Sequence, residues 1–355
     1  MQKLEQKIKL KRYPYTYVRA TVMKSLLFRK DDYQKMLKMS FSEIAKFLQE
    51  STYRKEINAL ATQYSGAELL ELAMNKNLSD SFKKLMSISP DELRTLITAY
   101  ILRKDIEDIK TILRGKFTGA NEKTIIASLT GAGTLSGEEL TAFLKKDSVE
   151  EILKSNRIVE FSLFANALKD FHGKKTLASI ENVFDRQYYR KLAEFSQRLP
   201  KQGALFRNFL IKEVEVINLL TLLRLKKAKM AKDSFRELMI PTGYPAKDAK
   251  LMGLVSMEDI EEFARELMRT EYKELIVKGI EEYKKTNSLI KLETDLYKYL
   301  LDQTTLMLHQ HPLSVDTILG YMFAKDIEVR NLKILVKGKQ LGLKDEFIES
   351  QLVVD

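Results

Sequence analysis

Reactive side chains are scarce in this chain. Its 355 residues include three His and no Cys, which excludes thiolate metal sites, cysteine nucleophiles and disulfide scaffolds. His309 and His311 (HQHP) stand two apart, a spacing that does not bring both rings to one helical face. With Pro312 following, they read as a loop or helix end rather than a metal site. His172, in DFHGKK, reads as a helix-end residue beside Gly173. Three isolated His offer no Ser/His/Asp arrangement. The glycine-rich GAGTLSG, Gly131–Gly137, invites a phosphate-cradling reading. It lacks the Lys-Ser/Thr ending of a P-loop and follows no clear strand, so it reads as a flexible linker. Catalytic, cofactor-binding and metal-binding residues are accordingly not assigned.

Composition narrows the class. There are 60 Lys+Arg against 49 Asp+Glu, a net charge of +11, with 45% hydrophobic residues, 14 Gly and 6 Pro. That is too apolar for disorder and too poor in turn formers for an all-β fold. No apolar run approaches the ~18–20 residues that span a bilayer. The start, MQKLEQKIKLKRYPYTYVRA, is basic but has no apolar stretch with a small-residue cleavage site, so it is not a secretory signal. The expectation is a soluble, cytoplasmic protein. A pI near 9.3 suits nucleic acid, an anionic membrane face or an acidic protein, and charge alone does not choose among them.

Helical periodicity runs nearly throughout. Ile44, Phe47 and Leu48 fall at i, i+3, i+4 in FSEIAKFLQE, with Ser42 as the expected N-cap. Ile260, Phe263, Ala264 and Leu267 repeat the pattern, with Ser256 as the expected cap. No alternation of period two is found, so the fold class is all-α. The six Pro (14, 90, 200, 241, 245 and 312) are unfavourable inside helices, and the segments Gly131–Gly137 and MIPTGYPAKD around Pro241–Pro245 read as the two main linkers.

One helix recurs three times. The copies are Asp105-Ile-Glu-Asp108-Ile109-Lys110-Thr-Ile112-Leu113-Arg114-Gly115-Lys116, Glu215-Val-Ile-Asn218-Leu219-Leu220-Thr-Leu222-Leu223-Arg224-Leu-Lys226, and Glu328-Val-Arg-Asn331-Leu332-Lys333-Ile-Leu335-Val336-Lys337-Gly338-Lys339. They share acidic-x-x-Asp/Asn-apolar-x-x-apolar-apolar-basic-x-Lys at offsets of 110 and 113 residues. Three copies at nearly equal spacing mark a repeat. The apolar positions form one buried stripe, and acids toward the N-terminal end with bases toward the C-terminal end suit the helix dipole. Gly119 and Gly342 stand where a C-terminal stop is expected. The signature reads as a structural core helix, with Leu113, Leu223 and Val336 in the core. A looser element also recurs at Phe41–Tyr53, Ser148–Phe161 and Ser256–Tyr272. Tyr188-Tyr189 and Tyr297–Tyr299 are expected to precede long helices. These features divide the chain into helical units over 1–120, 121–235 and 236–355.

Residues Tyr15–Phe28 (YTYVRATVMKSLLF), Ser42–Tyr53 (SEIAKFLQESTY), Leu113–Gly119 (LRGKFTG) and the second and third signature copies, taken in order, resemble the family of C subunits of A/V-type rotary ATP synthases, relatives of the vacuolar ATPase d subunit. The resemblance covers essentially the full length. The middle copy departs most, with Leu225 for Gly and Leu220 for Lys, which bears on its cap. The resemblance implies three similar all-α domains arranged as a funnel about a pseudo-threefold axis, with no chemistry and no cofactor of their own. It also implies one copy per complex, at the cytoplasmic face of the membrane. The partners would be the shaft subunits D and F and the proteolipid rotor ring.

Charge is uneven along the chain. Nine bases in the first 30 residues (Lys3, Lys7, Lys9, Lys11, Arg12, Arg19, Lys24, Arg29 and Lys30) face one acid, Glu5. Such a stretch suits anionic headgroups or a solvated terminus. Residues 258–282 are predominantly acidic (Glu258, Asp259, Glu261, Glu262, Glu266, Glu271, Glu274, Glu281 and Glu282). The rival reading, nucleic-acid binding, rests on the basic run Arg224–Lys232. The absence of Trp and of an aromatic-interleaved basic stripe counts against it.

Overall fold

A computed structural model describes residues 13–197, 199, 203–229, 235–236, 238–257, 260–310 and 313–354. Among them the regular elements are helices, and no strand occurs. Two compact units form, one from Met39–Tyr188 and the other from Met1–Lys38 with Tyr189–Asp355.

In the unit Met39–Tyr188, short helices Phe41–Gln49 and Arg54–Leu60 lead into two long ones, Gly66–Ser87 and Asp91–Thr118. The second of these carries the first signature copy. Its start follows from sequence: Pro90 holds the N-cap in extended backbone, and Asp91 and Glu92 fill the first turn. Glu122–Ser128, Gly137–Leu144, Val149–Ser155, a 3-10 turn at Phe161–Phe164, Ala165–Lys174 and the first part of Ala178–Gln197 complete the unit. Leu93, Leu96, Ile97, Ile109, Ile112 and Leu113 are fully buried along one long helix.

The other unit holds the two remaining signature helices, Ala204–Lys227 and Val315–Gln340. Phe209 and Phe323 meet edge-to-face between them, 5.1 Å centroid to centroid. The Phe206 N–H, in the first turn of one, donates to Asp316 at the start of the other, 3.0 Å. Pro245–Val255, Ile260–Leu267, Lys273–Thr286, Ile290–Gln310 and Asp345–Gln351 surround them, with Pro245 in the first turn. Helix Pro14–Ser25, again opened by a proline, packs on Val315–Gln340. The Tyr13 N–H donates to the Leu313 carbonyl, 3.1 Å, so the early residues belong with the last signature helix.

Several local expectations change. Ser40, not Ser42, caps Phe41–Gln49: its Oγ accepts from the Glu43 N–H while Glu43 accepts from the Ser40 N–H. The capping-box spacing Ser-x-x-Glu decides this. Ser256 follows helix Pro245–Val255 in helical backbone, with its Oγ donating to the Gly253 carbonyl, while residues 258 and 259, where an expected cap would act, lie outside the described positions. Tyr188-Tyr189 and Tyr297–Tyr299 do precede the long helices Ala204–Lys227 and Val315–Gln340, and themselves lie within helices Ala178–Gln197 and Ile290–Gln310. Their rings pack onto neighbours; the Tyr188 hydroxyl donates to the Tyr100 carbonyl, 3.0 Å. Ser148 does cap Val149–Ser155, accepting from the Glu151 N–H. Phe263, Ala264 and Leu267 are buried; the Ile260 and His309 side chains, Pro200, His311, Pro312, Glu258, Asp259 and the basic residues at 3–12 fall outside the described positions.

Candidate functional site: the anchors of the repeated helix

The Asp/Asn of each signature copy is 1% exposed and clasps backbone. Asp108 accepts from the N–H groups of Thr130 (2.6 Å) and Gly131 (2.9 Å) and from the Thr130 hydroxyl. Asn218 accepts from the Ile240 N–H (2.9 Å) and donates to the Ile240 carbonyl (2.7 Å). Asn331 does the same with Val353, at 2.9 and 2.6 Å. In all three copies the clasped residue lies 22 positions downstream. An amide has both donor and acceptor and so grips both groups of one residue. A carboxylate only accepts, and Asp108 takes two successive N–H groups instead.

The acidic position is used differently in each copy. Asp105 accepts from Thr134 N–H (2.9 Å) and hydroxyl (2.6 Å) and from Leu135 N–H (2.8 Å). Segment Gly131–Gly137 is therefore not a free linker: Asp105 and Asp108 accept from its Gly131, Thr134 and Leu135 N–H groups. The anions this glycine-rich loop cradles are the chain's own. A Cβ on Gly133 would lie 2.0 Å from Asp105 Oδ1, so glycine is required by the close approach. Glu215 accepts from Lys247 Nζ (2.5 Å) and the Tyr272 hydroxyl (3.1 Å). Glu328 accepts from the Phe28 N–H (2.6 Å) and from Lys325 Nζ (2.8 Å).

Leu113, Leu223 and Val336 are all fully buried. Beyond them, Gly115 and Gly338 make room for Ile125 and Ile348: a Cβ would meet those side chains at 2.4 and 2.6 Å. In the middle copy Leu225 sits there instead, beside a core that includes Phe235. The stop survives the change. Gly119 (φ 69°), Lys229 (φ 52°) and Gly342 (φ 66°) all adopt left-handed backbone, each four residues after position 115, 225 or 338. Only the middle copy asks an L side chain to do so. Lys229→Gly is expected to raise stability by about 0.5–1 kcal/mol, read as a shift of the chemical-denaturation midpoint to higher urea. An unchanged or lower midpoint would show that the strain is offset locally.

The basic positions divide. Arg114 forms a two-point pair with Glu181 (2.6 Å each), and Arg224 pairs with Glu293 at 2.8 Å. These carboxylates raise both guanidinium pKa values by hydrogen bonding. Lys226 donates to the Met257 carbonyl, and Lys339 to the Leu37 carbonyl and, at 2.6 Å, to Asp345. Lys116 and Lys337 sit in the last turns of their helices, where a cation suits the dipole. The repeated pattern marks neither Glu181 nor Glu293, which lie 67 and 69 positions from their Arg partners; of the clasped residues, Gly131 and Ile240 fall in the two segments read as linkers. In the basic run, Arg224, Lys226 and Lys227 are engaged with Glu293, Met257 and Asn287, while 230–232 lie outside the described residues. His172, in the last turn of Ala165–Lys174, meets Glu150 at 2.7 Å.

Burial shapes the electrostatics. It pushes the Asp108 carboxyl up to about 6, against the hydrogen bonds from Thr130 and Gly131. It raises Asp105 and, despite Lys110 at 2.7 Å, Asp185. A carboxyl whose folded pKa exceeds its unfolded value favours folding below the unfolded pKa, and that contribution is lost as pH rises through the folded one. From about 4 to about 6, at about 1.4 kcal/mol per pH unit, the loss amounts to about 3 kcal/mol. Asp108→Asn is therefore expected to gain on the parent between pH 4 and 7, by up to that amount, in urea midpoints taken across the range. A gap that stays constant with pH would refute the assignment. A second polar cluster lines a cavity of about 300 Å³ around Glu215, Lys247, Glu271 and Tyr272. Glu271 holds Lys212 and the Tyr299 hydroxyl, each at 2.7 Å. Burial and the adjacent carboxylates push the Tyr272 and Tyr299 phenols well above their ordinary value, so both stay protonated. Among the described residues no three His, Asp or Glu converge in a way that could hold a metal ion.

What the arrangement does is fasten helices. Its carboxylates and amides are directed at the chain's own backbone and cations. Residues 16–351 match the family model described as ATP synthase (C/AC39) subunit. The A-type ATP synthase C subunit of Methanosarcina barkeri is 39% identical over 96% of this chain and 93% of its own length. The Methanococcoides burtonii counterpart is 35% identical over 100% and 99%, and that of Haloferax volcanii 27% identical over 96% and 97%. The chain belongs to the C/AC39 family of ATP synthase subunits.

Proposed function

We propose that this chain is a non-catalytic central-stalk subunit of an A/V-type ATP synthase. One copy per complex would link the D–F shaft to the membrane rotor ring and pass torque between them. In this reading the units 1–120, 121–235 and 236–355 form a funnel about a pseudo-threefold axis at the cytoplasmic face of the membrane. The observation that carries it is the threefold recurrence of one helix with its return segment clasped 22 residues downstream. Torque is transmitted only by a body that does not yield; the buried clasps tie Asp108 to Thr130 and Asn218 to Ile240 across the boundaries of these units and Asn331 to Val353 within the last. Exposed apolar residues at the ends of the first and third signature helices and in the short helices after them, namely Phe117, Ile126, Leu341, Leu343 and Phe347, supply surface for partner subunits. Among the described residues no helix is long and apolar enough to cross a membrane, which fits peripheral attachment. An affinity-tagged copy recovered from gently solubilised membranes is expected to bring down the ATPase subunits, with shaft and ring cross-linked to it. Recovery of the chain alone while intact complexes are present in the extract would overturn the proposal.

A further inference from the structure

Helix Pro14–Ser25 has one face committed and one face open. Tyr13, Thr16 and Ala20 are buried, and the helix packs on Val315–Gln340. On the other side Tyr15, Val18, Val22 and the following Leu26 are 63, 54, 49 and 55% exposed. Their spacing of three, four and four places them on one helical face. No other described helix exposes so many large apolar side chains.

The sequence around that stripe is basic as far as Lys30, after which Asp31 and Asp32 open the next helix. From Gln6 to Lys30 there is no Asp or Glu. Arg19 lies within the stripe's span, and Arg29 and Lys30 are exposed just beyond it. Five more bases precede the helix in sequence, outside the described residues. Beside the helix is a cavity of about 520 Å³ whose lining includes Lys24, Arg29 and Lys30 with Leu27, Phe28 and Ile327. Its carboxylate, Glu328, is engaged by the Phe28 N–H and Lys325. Apolar side chains set among cations complement an anionic headgroup layer over hydrocarbon. A tyrosine at the edge of the stripe suits the same boundary. At 12 residues, about 18 Å, the helix can lie along that boundary but not cross it.

We propose that Pro14–Ser25 is an interfacial helix that inserts Tyr15, Val18, Val22 and Leu26 into an anionic lipid surface, with the flanking cations on the headgroups. This does not rest on the rotor reading, since a subunit held by protein partners has no need to touch lipid. The test uses the purified full chain in sedimentation with vesicles of phosphatidylcholine alone and of phosphatidylcholine mixed with phosphatidylglycerol. Binding is expected to the mixed vesicles only, and to weaken as salt is raised. Val18→Glu with Val22→Glu is expected to weaken it about tenfold or more while leaving the helical circular dichroism unchanged, because both sites are on the open face. Failure to bind mixed vesicles, equal binding to neutral ones, or full binding by the double variant would each overturn the proposal. If the double variant instead loses only its recovery with ATPase subunits, the stripe is a protein interface and the lipid assignment falls while the rotor reading stands.

Discussion

Replacing Glu328 with Ala is expected to destabilise the unit that contains it by about 3–5 kcal/mol, the usual cost of breaking a buried ion pair from one side. Lys325 and Glu328 sit one helical turn apart with side chains 4% and 3% exposed. The carboxylate also holds the Phe28 N–H at 2.6 Å. Alanine would leave the Lys325 ammonium in the interior without that counter-charge and the Phe28 donor without its acceptor. Glu328→Gln keeps an acceptor of the same shape, and a smaller loss is expected from it. Urea unfolding followed by circular dichroism at neutral pH reads both. Equal, small losses for the two variants would show that neither the charge nor the clasp on residue 28 matters to the fold.

The second large effect lies in the apolar stripe. Leu113→Ala and Leu223→Ala are each expected to cost about 2–5 kcal/mol, and Val336→Ala somewhat less, because fewer buried atoms are removed. All three positions are fully buried at the same place in their helices. Leu113 belongs to Met39–Tyr188, while Leu223 and Val336 share the other unit. Thermal melts should therefore report the first substitution in a different unit from the other two. Melts unchanged for any of the three would remove that position from the core.

The helices were legible because apolar residues recur with a helical period and a dozen residues suffice to see it. The repeat was legible for a similar reason: Asp108, Asn218 and Asn331 stand at one place in a pattern found three times. What those side chains hold was not. Thr130, Ile240 and Val353 share no polar side-chain group, since the contact common to all three is with their backbone. Glu181 and Glu293 reach Arg114 and Arg224 because whole helices fold back, a distance no local pattern encodes. Gly131–Gly137 misled for the opposite reason. Glycine there meets the close approach of Asp105 rather than a need for flexibility. Ser40-x-x-Glu43 spells a capping box that is present in the sequence and outweighs Ser42 as the cap.

The early residues lean on the late ones. Phe28 is tied to Glu328 and Leu37 to Lys339, contacts about 300 positions apart in the chain. A ribosome adding about 5–20 residues per second takes about 15–60 s to cover that interval. Throughout it the nascent leading helix shows its docking face, later covered by Val315–Gln340, as well as its open stripe. Biogenesis, rather than the finished fold, is then where this segment is most at risk of clumping, and a chaperone or a nearby bilayer would shelter it during that wait.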